Sequence, residues 1–250
     1  MADKPKPKVL LLGEIEQYVH QRASQYGSPP GDGQGHSRQQ HRLAHDAWSG
    51  IAQIANVLTP KAKNREEFMA ECRAGAFDGV TAAYRNLESF DLTGRIDSEL
   101  LDVLPSSLRF LCHNGAGYDQ IDIPACTSHA VHVSNTPTAV DDATADITIW
   151  LLLGALRNFP IGMSALRAGH WRGTPRPPRL GHDPQGKVLG ILGMGGIGRN
   201  VAAKARAFGM KIRYHNRTRL SEELEDGAEY VSFETLLAES DVLSLNLPLN

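Results

Sequence analysis

The stretch Lys187–Asn216, KVLGILGMGGIGRNVAAKARAFGMKIRYHN, constrains this chain most, because its spacing of apolar residues and glycines admits few backbone paths. Val188, Leu189, Ile191 and Leu192 form a short apolar run, the pattern of a parallel strand buried on both faces. Gly193, Gly195 and Gly198 follow in G-x-G-x-x-G spacing. The first glycine permits a tight turn, the second lets a pyrophosphate approach the backbone, and the third lets helix and strand pack closely. Ile197, Val201, Ala205 and Phe208 then share one helical face, Gly209 stands where a helix stop is expected, and Lys211–Asn216 reads as a second strand. A glycine fingerprint alone is often just a turn. Here strand, helix and second strand agree, so the stretch predicts a dinucleotide site in which Gly193, Met194, Gly195, Gly196, Ile197 and Gly198 hold phosphates at a helix N-terminus.

The tip of the second strand bears on which dinucleotide. An NAD site usually places an acidic residue about 20 residues on, to hold the ribose 2′-hydroxyl. This chain instead has Asn216, Arg217, Thr218 and Arg219. Asn216 does not repel a 2′-phosphate, and the two guanidiniums can pair with one through charge-assisted bonds. NADP is therefore the expected cofactor, with NAD as the alternative; the other reading of the turn is an exposed basic loop.

Length and composition bound the rest. The 250 residues suggest one or two domains, and 41% hydrophobic content with a formal charge of −2 fits an α/β protein with a real core and gives no sign of nucleic-acid binding. The longest apolar stretch, around Ile147–Leu156, is too short to span a bilayer, so no membrane is expected. Nothing before the first strand resembles a signal-peptide apolar region, and Cys72, Cys112 and Cys126 show no paired spacing. The expectation is a cytoplasmic protein with unpaired thiols in a reducing compartment. His36, His41 and His45 are the nearest approach to a metal cluster and read as solvated helix histidines, so no metal is expected.

Strands are expected at Val9–Gly13, Asn56–Thr59, Asp78–Tyr84, Leu108–Cys112 and Val131–Ser134. Helices are expected at His41–Ala55, Arg65–Arg73 with Asn64 as N-cap, and Asp97–Leu104 ended by Pro105. Ser28–Gly35 and Trp171–Gly186 read as loops. Alternating strands and helices argue for an α/β fold with a parallel sheet covered on both faces. Thr138–Pro160, apolar at helical spacing, reads as one long helix joining two domains, and Asp241–Asn246 as a fourth strand of the dinucleotide unit.

Taken in order, HNGAGYDQID at His113–Asp122, VSNTP at Val133–Pro137, DDATAD at Asp141–Asp146, LLLGALRNFP at Leu151–Pro160 and the glycine turn resemble the D-2-hydroxyacid dehydrogenase family. The wording of CHNGAGYDQID, LLLGALRNF and YHNR is most similar to fungal NADP-dependent glyoxylate or hydroxypyruvate reductases. The resemblance implies two Rossmann-like, doubly wound domains: a flavodoxin-like substrate domain over 1–138 and a dinucleotide-binding domain over 139–250 that lacks its C-terminal half. It implies reduction of a small 2-oxo acid, glyoxylate or hydroxypyruvate, to the D-2-hydroxy acid with NADPH. A non-enzymatic dinucleotide-sensing module, like the co-repressors that resemble this family, is the other reading.

Residue by residue, the resemblance puts the carboxylate-binding loop on Gly115, Ala116 and Gly117, where small residues let backbone N–H groups reach a carboxylate. It puts Thr144 near the nicotinamide, and Leu247 and Pro248, with Leu249, against the adenosine half. Arg85 and Asn86 follow a strand on the substrate side but no motif fixes them, and Asp146 replaces the family's usual Glu without an obvious chemical role. The family's catalytic Arg, Glu and His lie beyond Asn250, so no catalytic residue is named and the chain is expected to be truncated. A homodimer through the long helix and the arm after it, about Ala139–Trp171, is also implied.

Overall fold

A computed structural model describes residues 5–12, 50–170 and 180–248. The Ser28–Gly35 loop, the three clustered histidines, Arg172, Arg176, Arg179 and Leu249 lie outside the described residues, as does most of the His41–Ala55 helix. The chain divides into two compact units, Met1–Thr136 and Pro137–Asn250.

The first unit is a five-stranded parallel sheet built from β1 (Lys8–Leu12), β2 (Asn56–Leu58), β3 (Val80–Arg85), β4 (Phe110–His113) and β5 (His132–Ser134). Its order is β2-β1-β3-β4-β5, the flavodoxin-like arrangement, in which the chain changes direction beside the first strand. Leu10, Leu11 and Leu12 are buried in succession, as a central strand covered on both faces requires. The helices α1 (Arg65–Arg73), α2 (Ser89–Thr93), α3 (Ser98–Leu101) and α4 (Ile123–Ser128) connect the strands. Helix α1 starts where its cap does: the Asn64 side chain accepts from the Glu67 N–H at 3.0 Å. Asp97 and Asp122 cap α3 and α4 in the same way. Helix α3 is a single turn, shorter than the expected Asp97–Leu104 helix, and the chain leaves it before Pro105. Phe68, Leu100, Cys126 and Val80 close the core.

In the second unit the chain enters α5 (Asp141–Leu156), bends at Asn158, and continues as α6 (Phe159–Arg167) at 71°. This corrects the single helix expected over Thr138–Pro160. Asn158 adopts the left-handed conformation at φ 56°, and Pro160 sits in the first turn of α6. A proline there loses no helical hydrogen bond, so it opens the next helix as readily as it closes the last.

The remaining strands, β6 (Val188–Leu192), β7 (Lys211–His215), β8 (Glu229–Tyr230) and β9 (Val242–Leu245), pair in parallel in the order β8-β7-β6-β9. These are the first four positions of the 3-2-1-4-5-6 dinucleotide-binding order. Helices α7 (Gly196–Ala207), α8 (Glu222–Glu225) and α9 (Phe233–Glu239) link them. Gly190 and Ile191 are adjacent on β6 and so face opposite ways. A Cβ on Gly190 would strike Ser240 and Leu236 at the end of α9, whereas Ile191 lies against Gly198 of α7. The sheet is therefore wound on both faces, with Ala145, Ile149 and Leu152 of α5 completing the core beside α7.

Candidate functional site

Each unit carries a glycine turn at the C-terminal end of a central parallel strand, where open α/β sheets bind ligands. In the second unit the turn follows β6. Gly193 adopts φ 96°, and a Cβ on it would lie 2.6 Å from the Asn246 carbonyl, so both conformation and space demand glycine. The end of β6 is tied on both sides: Gly193 N–H donates to His215 O at 3.0 Å, and Asn246 N–H donates to Leu192 O at 2.9 Å. Met194 is buried, and its N–H donates to the Asn216 Oδ1 at 2.7 Å. Gly195 is the N-cap of α7, and a Cβ there would meet nothing within 4 Å. A ligand can therefore approach this backbone. A Cβ on Gly196 would run into the Asp141 carboxylate, and one on Gly198 into the Gly193 carbonyl. With Ile197 they form the first turn of α7, whose N–H groups have no carbonyl ahead of them in the helix. The open face at Gly195 and these N–H groups fit the diphosphate of a dinucleotide.

At the tip of β7 the four polar residues split. Asn216 turns inward onto Met194, and its backbone carbonyl accepts from Tyr230 OH at 3.2 Å. Arg217 and Thr218 are exposed, and Arg217 makes no hydrogen bond or ion pair among the described residues. Arg219 is engaged: its Nε and Nη2 donate to the two oxygens of Glu225 at 2.7 and 3.0 Å. Glu225, which sequence reasoning passed over, is a buried carboxylate that also accepts from Tyr214 OH at 2.6 Å. Those bonds, from Arg219 first and then Tyr214, hold its pKa down to about 2. Leu247 and Pro248 follow β9, with Leu247 against Gly193. Thr144 is exposed on the first turns of α5 and accepts from Thr148 through its carbonyl. Asp146 has a structural partner: with Asp142 it pairs with Lys204, joining α5 to α7.

In the first unit the turn after β4 carries Gly115, Ala116 and Gly117, and all three of their carbonyls are anchored. Thr136 N–H donates to Gly115 O at 3.0 Å, the Asn135 amide to Ala116 O at 2.8 Å, and His113 Nε2 to Gly117 O at 2.8 Å. The N–H groups of Ala116 and Gly117 have no partner among the described residues. A turn with its carbonyls fastened and its N–H groups free among the described residues can receive an anion. Gly115 is closely confined, since a Cβ would stand 2.6 Å from His113 Nε2 and displace that ring; Gly117 has more room, its nearest neighbour being Asp119 Oδ2 at 3.3 Å.

Beneath this turn sits a group that no motif announced. Arg85 is fully buried, and its Nη2 donates to Gln120 Oε1 at 2.9 Å while Nε and Nη1 have no partner among the described residues. Burial lowers its pKa, and burial together with the nearby Arg85 charge lowers that of His113. His113 is thus neutral, with its proton on Nε2 toward Gly117. Arg85 and His113 stand side by side in the β3–β4 register, which explains why two separate sequence segments build one floor.

Residues 149–250 match the model of the NAD-binding domain of D-isomer-specific 2-hydroxyacid dehydrogenases. Over 207 residues the chain is 56% identical to 4-methyl-2-oxopentanoate reductase A of Aspergillus oryzae, an alignment covering 83% of this chain and 62% of that protein. It is 44% identical over 210 residues to glyoxylate reductase 1 of Saccharomyces cerevisiae, covering 82% of this chain and 60% of that protein. Among solved structures, a glyoxylate reductase from Paecilomyes thermophila is similar with a TM-score of 0.82 and 47% identity, covering 99% of this chain and 66% of that one. The chain thus spans about three-fifths of the length of the curated relatives it matches. By sequence, by fold and by the glycine turn after β6, the chain belongs to the D-isomer-specific 2-hydroxyacid dehydrogenases.

Proposed function

We propose that this chain serves the reduction of a 2-oxo acid to a D-2-hydroxy acid with NADPH. The observation that carries the reading is the pair of donor-rich turns, one in each unit: the anchored Gly115–Gly117 turn for a carboxylate and the open Gly195 turn for a diphosphate. Bound NADPH supplies the hydride that reduces the carbonyl carbon. The chain's own part is to bind and orient. The Ala116 and Gly117 N–H groups receive the acid's carboxylate, and the buried Arg85 charge below them adds a favourable potential. The first turn of α7 receives the diphosphate, Leu247 and Pro248 flank the adenosine, and Thr144 lies toward the nicotinamide. Asn216 leaves the ribose end without a negative charge, and Arg217 supplies a free positive one, which favours NADPH over NADH.

The relatives' names give the substrate range to test, from glyoxylate to the branched 4-methyl-2-oxopentanoate. Fluorescence titration with NADPH and NADH, followed by oxamate as a non-reducible analogue of a 2-oxo acid, tests both turns. Tighter NADPH binding and oxamate binding that Gly117→Val abolishes, with NADPH affinity unchanged, are expected. Equal affinity for the two cofactors would remove the NADP assignment, and oxamate binding by Gly117→Val would remove the β4 turn from the site. We also propose a homodimer through α5 and α6. Ile147, Trp150 and Leu151 on α5 and Phe159, Ile161, Met163 and Leu166 on α6 are each roughly half exposed or more, an apolar surface suited to a two-fold partner. A monomeric mass in light scattering would count against it.

A further inference from the structure

The two arginines at the tip of β7 stand in different electrostatic states. Arg217 is exposed and unpaired among the described residues, whereas Arg219 is locked side-on to a carboxylate that is itself only 5% exposed. We propose that Glu225 determines how the ribose end is read: it holds Arg219 as a neutral latch, so that Arg217 alone supplies the charge that selects a 2′-phosphate. The inference rests on the NADPH reading above and assigns its selectivity to one arginine.

Three features hold the latch closed. Nε and Nη2 of Arg219 meet both carboxylate oxygens, the geometry in which an arginine fork binds a carboxylate best. Glu225 accepts a third bond from Tyr214 OH, whose oxygen in turn accepts from the Leu220 N–H at 3.1 Å, so the carboxylate is fixed to β7 and to the turn after it. The guanidinium also lies 5.8 Å from the centre of the Tyr230 ring, which restricts it from the other side. For a 2′-phosphate to draw Arg219 away, a buried carboxylate would be left with one hydroxyl, and burying an unpaired charge is among the costliest changes available.

The surroundings argue the same way. A cleft of about 460 Å³ opens beside the latch, and Glu222, Glu225 and Glu229 all contribute to its wall. Arg219 lines the cleft too and neutralises Glu225, and Glu229 pairs with Arg213 at 2.9 Å, so the charge left unpaired there among the described residues is that of Glu222; it repels a phosphate and leaves the Arg217 side of the turn as the place for one. Glu225 therefore acts against NADPH by cancelling the Arg219 charge. In return it fixes the turn that carries Arg217.

The test is a binding measurement at low salt, NADPH against NADH, on wild type, Arg217→Met, Glu225→Gln and the double variant Arg219→Met/Glu225→Gln, each first checked for folding by circular dichroism. Arg217→Met should lose about 10- to 100-fold of NADPH affinity with NADH unchanged, as for one lost charge-assisted contact. Glu225→Gln uncovers the Arg219 charge and should tighten NADPH about twofold or more, again without NADH. The double variant removes a neutral pair and should keep the wild-type preference to within about twofold. A purely structural latch would lower both affinities together in Glu225→Gln. Loss of the preference in the double variant, or weaker NADPH binding by Glu225→Gln, overturns the assignment to Arg217. A wild type without any preference overturns the NADPH reading itself, and the inference with it.

Discussion

The turns after β4 and β6 both lie at the C-terminal ends of interior parallel strands, yet they are made rigid by different means. The β6 turn is fixed mainly by backbone: a positive φ at Gly193, a carbonyl 2.6 Å from where its Cβ would be, and main-chain bonds to β7 and β9, with the Asn216 side chain accepting from Met194 N–H as its one side-chain fastener among the described residues. The β4 turn is fixed from outside by His113, Asn135 and Thr136, with the buried Arg85 beneath. A turn held by its own backbone must announce itself in glycine spacing. One held by side chains from other segments need not, because any residue with a suitable donor could do the fastening.

The largest expected effect breaks the β6 turn directly. Gly193→Ala puts a Cβ against the Asn246 carbonyl in a conformation that costs a non-glycine residue at least about 1–3 kcal/mol. Because Asn246 follows β9, the strand moves with the clash, and both NADPH binding and the second unit's stability should fall. Thermal unfolding and cofactor titration check this together. A variant that melts and binds as wild type does would show that the turn is not held by its backbone.

The matching test on the other turn removes a fastener and leaves the glycines. Asn135→Ala leaves the Ala116 carbonyl without its donor, a loss of about 1 kcal/mol for one neutral hydrogen bond. Oxamate binding should weaken several-fold while NADPH binding and the melting of the second unit stay put. If both ligands weaken equally, the two turns are not independent devices.

This contrast also accounts for what could be read in advance. The βαβ unit around Lys187–Asn216 was legible because strand, turn and helix each follow from local spacing, and β9 and the capped helix α1 were legible for the same reason. Helix α6 was missed because Pro160 stops a helix and starts one with equal ease, and only the left-handed Asn158 decides between them. The short helices α2, α8 and α9 carry too few residues for a periodic pattern to show. At the site, Arg217 and Arg219 looked equivalent because nothing local marks Glu225 as buried; the Tyr214 hydroxyl that receives it comes from β7. Arg85 and His113 are joined only by strand register, which single-sequence reading cannot supply.

A pH titration sharpens the comparison, since a titratable side chain holds only the β4 turn. Burial, reinforced by the Arg85 charge, puts the folded-state pKa of His113 below the ordinary value of 6.5. Above that value the ring is neutral in both folded and unfolded chains, and its contribution to stability is constant. As pH falls through it, the unfolded chain takes up a proton that the folded chain refuses, so stability of the first unit declines toward the lower folded pKa. His129, raised by its bond to Asp102, has the opposite sign and gains relative stability in acid, so the wild type alone does not isolate His113. His113→Gln should flatten the acid limb in denaturant unfolding relative to wild type. An unchanged limb would mean that His113 is not the group refusing the proton.

The smallest effect belongs to a side-chain tie in the second unit, the Lys204 bridge to Asp142 and Asp146. It joins α5 to α7 as His113 joins strand to turn, but both carboxylates are well exposed, so water and salt screen the attraction. Asp146→Asn removes one of two acceptors and leaves Lys204 with Asp142. The core between these helices, Ala145, Ile149 and Leu152 against Val201, Ala202 and Ala205, is untouched. The variant should melt slightly below wild type at low salt and together with it at high salt, with cofactor affinity unchanged in both. A loss that persists at high salt would show that the β6 turn depends on a side-chain fastener beyond Asn216, and that the two turns differ less than their backbones suggest.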